Sequence, residues 1–200
     1  MLPIIKTRFP VDNVPWDRVN QDLTDAMKSL PPHSGTDANA DNSYYHITRR
    51  DLEPWAKGFQ DHVMSIILPL LPWAKTTRYS DLAFHSWFNR YRQNGGTVKH
   101  YHYDSEIVAV WYLKSDGNDG YLEYEWNGTM NKMPVTTGDL LIFPGDIGHG
   151  AGKNTTKEPR VSMATNFSCV SLLKDKIPKE AVDKLLAMRR KQLNLVLSKE

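Results

Sequence analysis

The sequence predicts a mainly β fold: a double-stranded β-helix (jelly roll) core backed by N-terminal and C-terminal helices. Helical periodicity is confined to the two ends of the chain. Between residues 82 and 170 it gives way to about seven short strand-like segments, with turn signals every ~8–12 residues. The 200 residues are 40% hydrophobic, enough to bury a sizeable core. The chain reads as a single domain over 1–200, with helical support over 14–72 and 178–199 and the jelly-roll core over about 82–170.

Each element has its own signal. Residues 2–9 read as a short strand. Pro15 suits the first turn of a helix running to about Leu30, because the missing N–H is not needed there, and Pro31-Pro32 stops it. Residues 33–43 are rich in Ser, Gly, Asp and Asn without periodicity and read as a long loop. Leu52, Trp55, Ala56, Phe59, Val63, Ile66, Ile67 and Leu70 recur at helical spacing, so a second helix lays one face on the core before Pro69 and Pro72 end it. Segments 82–93 and 97–103 flank Asn94-Gly95-Gly96, which reads as a hairpin turn. An apolar strand over 107–114 meets a turn over 115–120, and segments 121–126 and 129–135 form a hairpin around Asn127-Gly128. Strands over 140–143 and 160–170 follow. Val182, Leu185, Leu186, Leu193, Val196 and Leu197 then line one side of a third helix over 178–198.

Composition narrows the function. Basic and acidic residues number 25 and 23, so no nucleic-acid partner and no anionic membrane surface are expected. No apolar run approaches the ~20 residues that span a bilayer. A single cysteine, Cys169, forbids an intramolecular disulfide, and MLPIIKTRFP lacks a secretory apolar region. A cytoplasmic location is the expectation. The C-terminal apolar stripe could dock on the barrel or pair two copies, which leaves monomer and homodimer open.

The chemistry concentrates in three short segments. In His100-Tyr101-His102-Tyr103-Asp104, residues two apart on a strand share a face, so His100, His102 and Asp104 project together and Tyr101 and Tyr103 oppose them. Imidazole and carboxylate converging on one point can bind a divalent metal. In Gly138–His149, a glycine turn feeds an apolar strand ending at Pro144, and a loop delivers His149 between Gly148 and Gly150 with nothing bulky beside the ring. In Arg160-Val161-Ser162-Met163-Ala164, Arg160 and Ser162 share a face. A guanidinium and a hydroxyl pointing into a barrel suit a carboxylate.

Together these residues resemble the iron(II)- and 2-oxoglutarate-dependent oxygenases, especially the prolyl-hydroxylase-like and the phage and bacterial branches. The family pattern H-x-D/E, a distal His and a following Arg-x-Ser is matched by His102-x-Asp104, His149 and Arg160-x-Ser162. Ser86-Trp87-Phe88-Asn89, Val110-Trp111-Tyr112-Leu113 and Phe143-Pro144 resemble the family's flanks, and the likeness covers roughly residues 82–168. The resemblance implies that His102, Asp104 and His149 hold Fe(II), leaving open positions for 2-oxoglutarate and O2. It implies that Arg160 and Ser162 bind the distal carboxylate of 2-oxoglutarate, with Asn89 and Tyr112 as further wall candidates and Trp87 as a core residue. The presence of Asp104 favours hydroxylation, since related halogenases lack that carboxylate. His100 is not required by the triad and reads as an ordinary strand residue or a partner behind the ligands. Val108-Ala109 stands where many relatives carry smaller residues. The implied substrate is a small molecule or a peptidyl group, a peptidyl proline, amino acid or small metabolite, selected by loops at 31–48, 74–81 and 115–120.

Two other readings fit parts of the pattern. A cupin-type metal enzyme would use His100, His102, Glu106 and His149. A non-enzymatic jelly-roll binding protein could present Trp73, Trp111 and Trp126 to a carbohydrate or a protein.

Overall fold

The computed structural model describes residues 4–29, 37–43, 54–70, 83–168 and 178–197. The elements run β1 (Ile5–Arg8), α1 (Trp16–Ser29), β2 (Asp37–Asn42), α2 (Pro54–Ile67) with a 3-10 turn (Leu68–Leu70), β3 (Ala83–His100), β4 (Ile107–Lys114), β5 (Tyr121–Trp126), β6 (Thr129–Pro134), β7 (Asp139–Pro144), β8 (His149–Ala151), β9 (Arg160–Ser168) and α3 (Lys179–Leu197). The strands pair in the order β1-β7-β4-β9-β3-β8-β5-β6, all antiparallel, with β2 on β3. This is the expected double-stranded β-helix with its helices. Pro31, Pro32, His33, His46, Trp73, Cys169 and the loop at 74–81 lie outside the described residues.

β3 joins the two halves of the roll. Its first part, Ala83 to Tyr91, pairs with β9, and its last part, Thr97 to His100, pairs with β8. The expected hairpin at Asn94-Gly95-Gly96 is therefore corrected: the chain bulges there and continues forward. Opposite the bulge, β2 advances only from Ala38 to Ala40 while β3 advances from Gly96 back to Tyr91. Asn94 takes a left-handed φ of 64°, and the bulge is pinned by Asn94 N–H donating to Asn154 O (2.7 Å) and Asn154 N–H to Gly95 O (2.8 Å). A hairpin would have satisfied these groups within itself; here the loop after β8 does so.

The loop expected over 33–43 is also corrected in part, because residues 37–42 form β2. Its sequence, DANADN, carries no apolar alternation, and backbone pairing with β3 holds it. Asp41 adds side-chain anchorage, with ion pairs to Arg90 (2.6 Å) and Arg92 (2.7 Å). The Asn127-Gly128 turn matches its expectation: φ is 51° and 73°, the left-handed pair of a two-residue hairpin, between partners Trp126 and Thr129.

The sheet separates two cores. Outside, Val19 and Leu23 of α1 and Phe59, Val63 and Ile67 of α2 pack on Phe88, Ala109, Trp111, Leu140 and Met163. Phe59 stacks on Trp111 at 5.4 Å. Trp111 is buried and donates Nε1–H to Phe9 O (3.2 Å), which removes it as an exposed sugar platform. Inside the roll, Trp87, Val108, Val110, Leu122, Tyr124, Leu141, Phe143 and Ala164 form the second core, against which Trp126 packs partly buried. α3 docks through Val182 and Leu186 and through an ion pair from Arg189 to Glu106 (3.2 Å). Among the described residues no helix is long and apolar enough to cross a membrane.

Candidate active site

Strand alternation builds one wall of a cavity. Trp87, Asn89 and Tyr91 of β3 face inward while Phe88 joins the helix-side core. The ladders carry this alternation across three strands. Trp87, Ala164 and Val110 stand in one row, and Asn89, Ser162 and Tyr112 in the next. All six line a cavity of about 360 Å³. Asn42 of β2 donates Nδ2–H to Asn89 Oδ1 (2.8 Å), which commits that carbonyl and leaves the Asn89 NH2 group as a donor on the wall. Burial pushes the Tyr112 hydroxyl up to about 12, with the Arg160 charge opposing, so Tyr112 is a neutral phenol at pH 7.

The β3–β8 side of the cavity carries three imidazoles. His100 and His149 are register partners, and His102 follows His100 by two residues. One nitrogen from each of His100, His102 and His149 lies within 4.8 Å of the others. Ring centroids are 4.5 Å apart for His100–His149, and 5.0 Å for both His100–His102 and His102–His149. His100 Nδ1 sits 2.9 Å from Val98 O and His149 Nδ1 2.8 Å from Ile147 O. Facing a carbonyl, each Nδ1 carries the proton, so Nε2 keeps its lone pair for a metal. Burial, reinforced by the neighbouring His100, lowers His102 to about 4, with Asp104 opposing, and holds His149 well below its ordinary value. Imidazole nitrogens gathered in a cavity, two of them on rings held neutral by burial, fit a divalent transition metal such as Fe(II).

The surroundings of His149 correct the sequence expectation. A loop does deliver it, to the first residue of the short strand β8, but the ring is buried rather than unshielded, with the Phe143 ring edge-on at 4.7 Å. The flanking glycines make room for neighbouring protein. A Cβ at Gly150 would lie 2.5 Å from Thr97 O, and one at Gly148 would lie 2.8 Å from the Tyr101 ring. Those spacings allow β8 to press against β3 and bring His149 to His100.

The other expected residues divide. Ser162, Asn89 and Tyr112 are on the cavity wall, and so is Trp87, tilted 5.7 Å from His102. Asp104 lines the cavity and receives Ser105 Oγ–H (3.3 Å), but it lies in the turn after His102, exposed and outside the three-histidine group. Arg160 is fully buried and not on the wall. Its Nη1 donates to Asp119 O (2.9 Å) and its Nη2 to Gly152 O (2.6 Å), while Nε has no hydrogen-bond partner. Its guanidinium carbon lies 5.0 Å from the ring of Tyr91, its register partner. Glu106, which a cupin pattern needs at the metal, is off the cavity and ion-paired to Arg189.

Tyr91 and Thr97 also line the cavity without a signal singled out in the sequence, and Tyr101, expected on the face opposite His100 and His102, lines it too. Tyr91 could have been found by the period of two from Asn89. Thr97 and His100 are three apart, yet both face inward, because β3 carries one extra residue between them relative to β8. Tyr101 stacks on Tyr103 at 5.0 Å, as their shared face predicts, and reaches the cavity rim because regular strand ends at His100.

The fold is a double-stranded β-helix with imidazoles and a polar row turned into one cavity, and solved structures of that fold match it. Residues 85–166, which contain every wall and imidazole residue assigned to the β3–β9 region above, match the family model "Putative 2OG-Fe(II) oxygenase". No curated protein shows significant sequence similarity to the chain. Among solved structures, a prolyl-4-hydroxylase from Pseudomonas putida is 16% identical, with 82% of this chain and 91% of that one covered at a TM-score of 0.60. A prolyl hydroxylase from Trichoplax adhaerens, solved with a hypoxia inducible factor peptide, is 13% identical over 92% and 86% at 0.57. HygX from Streptomyces hygroscopicus, solved with nickel, 2-oxoglutarate and hygromycin B, is 11% identical over 83% and 82% at 0.52. At these identities the structural likeness is one of fold.

Proposed function

We propose that the protein is an Fe(II)- and 2-oxoglutarate-dependent dioxygenase that hydroxylates a small-molecule or peptidyl substrate. The observation that carries this reading is the meeting, in one cavity, of an imidazole cluster with the polar row Asn89–Ser162–Tyr112. His102 and His149 hold the metal with a third donor from segment 100–104, which is Asp104 in the family pattern. Bound there, Fe(II) would supply a centre that 2-oxoglutarate can chelate and the redox chemistry with O2 that couples oxidative decarboxylation to substrate oxidation.

The chain's own residues bind and orient. Ser162, the Asn89 NH2 group and the Tyr112 hydroxyl donate to the distal carboxylate of 2-oxoglutarate. Arg160 adds positive charge from behind Tyr91, and its unpartnered Nε–H is the donor still available. The stacked Tyr101 and Tyr103, the latter 62% exposed, offer a flat rim to a ring-bearing substrate such as a prolyl side chain.

The test is optical and then catalytic. Anaerobic Fe(II) plus 2-oxoglutarate is expected to give the weak charge-transfer band of the chelate. His149→Ala is expected to lose the band, and Arg160→Ala to weaken 2-oxoglutarate binding while iron stays bound. A screen of amino acids and proline-containing peptides is then expected to find one that stimulates succinate formation. No band and no succinate would sink the reading and favour a non-catalytic jelly roll.

A further inference from the structure

We propose that Asn42 is a positioning residue for the co-substrate: one hydrogen bond from β2 turns the Asn89 amide so that its NH2, and not its C=O, meets the distal carboxylate of 2-oxoglutarate. The inference rests on the oxygenase reading above, because it takes that carboxylate to lie against the polar row. Asn42 is the register partner of Asn89, so the row Asn89–Ser162–Tyr112 extends onto a fourth strand. Asn42 lines the cavity with the other three.

An asparagine side chain ends in an acceptor and a donor of nearly equal shape, and half a turn exchanges them. Beside a carboxylate the two orientations have opposite sign. The NH2 group donates to the anion, whereas the C=O sets one negative oxygen against another. Asn42 breaks this symmetry. Its Nδ2–H donates to Asn89 Oδ1 at 2.8 Å, which draws the carbonyl toward β2 and leaves the NH2 group for the cavity. Asn89 is itself buried, so protein partners rather than bulk water set its orientation.

The anchorage of β2 is concentrated around this one residue. The strand, DANADN, offers no large apolar side chain that burial could hold. The residues on either side of Asn42 hold it instead. Buried Asp41 pairs with Arg90 (2.6 Å) and Arg92 (2.7 Å). Buried Ser43 exchanges two bonds with Phe88: its N–H donates to Phe88 O (3.0 Å), and its Oγ accepts Phe88 N–H (2.8 Å). Alternation then turns Asn42 toward the cavity and its two anchored neighbours away from it. The selectivity that results is for charge. A 2-oxo acid ending in a methyl group gains nothing from the oriented amide.

The experiment uses the full chain loaded with Co(II). Calorimetry gives the affinities of 2-oxoglutarate and of 2-oxopentanoate, which carries a methyl group in place of the distal carboxylate. In Asn42→Asp the new carboxylate can only accept, so the Asn89 NH2 turns to it and the C=O turns to the cavity. That variant is expected to lose at least ~30-fold in 2-oxoglutarate affinity, since a hydrogen bond to a charged group is replaced by an opposed oxygen. Asn42→Ala merely frees the amide and is expected to lose about threefold. Affinities for 2-oxopentanoate and for Co(II) are expected to stay within about twofold, because neither meets the amide. When Asn89→Ala is combined with each, the Asn42→Ala loss is expected to vanish and the Asn42→Asp loss to shrink to about threefold, the effect of charge at a distance.

An Asn42→Asp loss that persists in full without the Asn89 amide, or that extends to 2-oxopentanoate or Co(II), overturns the proposal. Asn42 would then act by its charge or by holding the fold. Should Asn42→Asp not fold, Asn42→Ala carries the same test through its loss in the presence and absence of Asn89. A preference for 2-oxoglutarate over 2-oxopentanoate that survives every Asn42 variant defeats this inference alone. An unsubstituted protein without that preference defeats the co-substrate reading itself.

Discussion

Asn89 stands directly opposite Ser162 on the β3–β9 ladder, and Ser162 is also the partner of Tyr112 on β4. One polar row thus crosses three strands at the level where the cavity wall changes from the apolar Trp87–Ala164–Val110 row. Ser162→Ala removes the middle donor and fits the same space. With the metal bound, affinity for 2-oxoglutarate is expected to fall about tenfold, the value of one hydrogen bond to a charged group. Metal affinity is expected to hold. Calorimetry on the metal-loaded protein checks both, and an unchanged 2-oxoglutarate affinity would place the co-substrate elsewhere.

Arg160 is held from behind by a glycine. A Cβ at Gly120, whose φ is 132°, would collide with Arg160 Nη1. Gly120→Ala is expected to displace the guanidinium, strand the carbonyls of Asp119 and Gly152, and cost about 2–3 kcal/mol in denaturant unfolding. It is also expected to weaken 2-oxoglutarate binding as Arg160→Ala does, although Gly120 is no part of the cavity wall. Loss of stability with full co-substrate affinity would confine Arg160 to a structural role.

Much of this architecture is legible in the sequence because most strands bury one or both faces. β4, β7 and β9 are continuous or alternating apolar runs, and Asn127-Gly128 needs only its backbone preference to turn. The failures share one cause: information held in the backbone of a partner. β2 has no apolar residue larger than alanine and exists because β3 offers it hydrogen bonds. The Asn94-Gly95-Gly96 signal is real as a left-handed backbone but cannot say whether the chain folds back or bulges onward; Asn154, 58 residues on from Gly96, decides that. The site divides the same way. Alternation alone puts Ser162 with Arg160 on one face, whereas the inward pairing of His100 with His149 depends on a bulge and on two glycines that admit β8.

The metal-free protein is expected to lose stability as the pH falls from about 6.5 to about 4. Burial holds His102 down at about 4 and His149 well below its ordinary value, while in the unfolded chain both take up protons near 6.5. Below 6.5 the unfolded state therefore binds more protons, which favours unfolding until the folded rings titrate as well. Thermal melts across this range, with and without Co(II), check the sign. Metal is expected to raise the midpoint at neutral pH and to lose its effect at acid pH.

α3 is fastened by Arg189 on the buried Glu106, at 3.2 Å. Arg189→Ala removes that cation from a carboxylate taken out of water, at an expected cost of about 3 kcal/mol. The loss is expected to be local. Limited proteolysis should cut within α3 sooner in the variant, with the metal centre unchanged, because Glu106 is not on the cavity.

Asp139 performs the equivalent task for β1. It is buried at the start of β7 and accepts from Arg8 Nη1 (3.1 Å), Thr136 N–H (2.7 Å) and Thr136 Oγ1–H (3.2 Å), with Lys6 Nζ at 2.9 Å. Burial alone would raise its carboxyl, but the Lys6 and Thr136 hydrogen bonds and the Lys6 charge outweigh it and hold the group below its ordinary value. The folded state therefore releases this proton more readily than the unfolded chain. The resulting stability is complete above the unfolded value of ~3.9 and is lost as the pH falls through the lower folded value. Asp139→Asn is expected to destabilise the protein by about 2–3 kcal/mol at pH 7, since Lys6 and Arg8 lose their counter-charge but, being partly exposed, keep water. Urea unfolding at pH 7 and near pH 3 tests the assignment: the gap between wild type and variant must narrow in acid. A gap independent of pH would mean that Asp139 holds β1 by shape and hydrogen bonding alone.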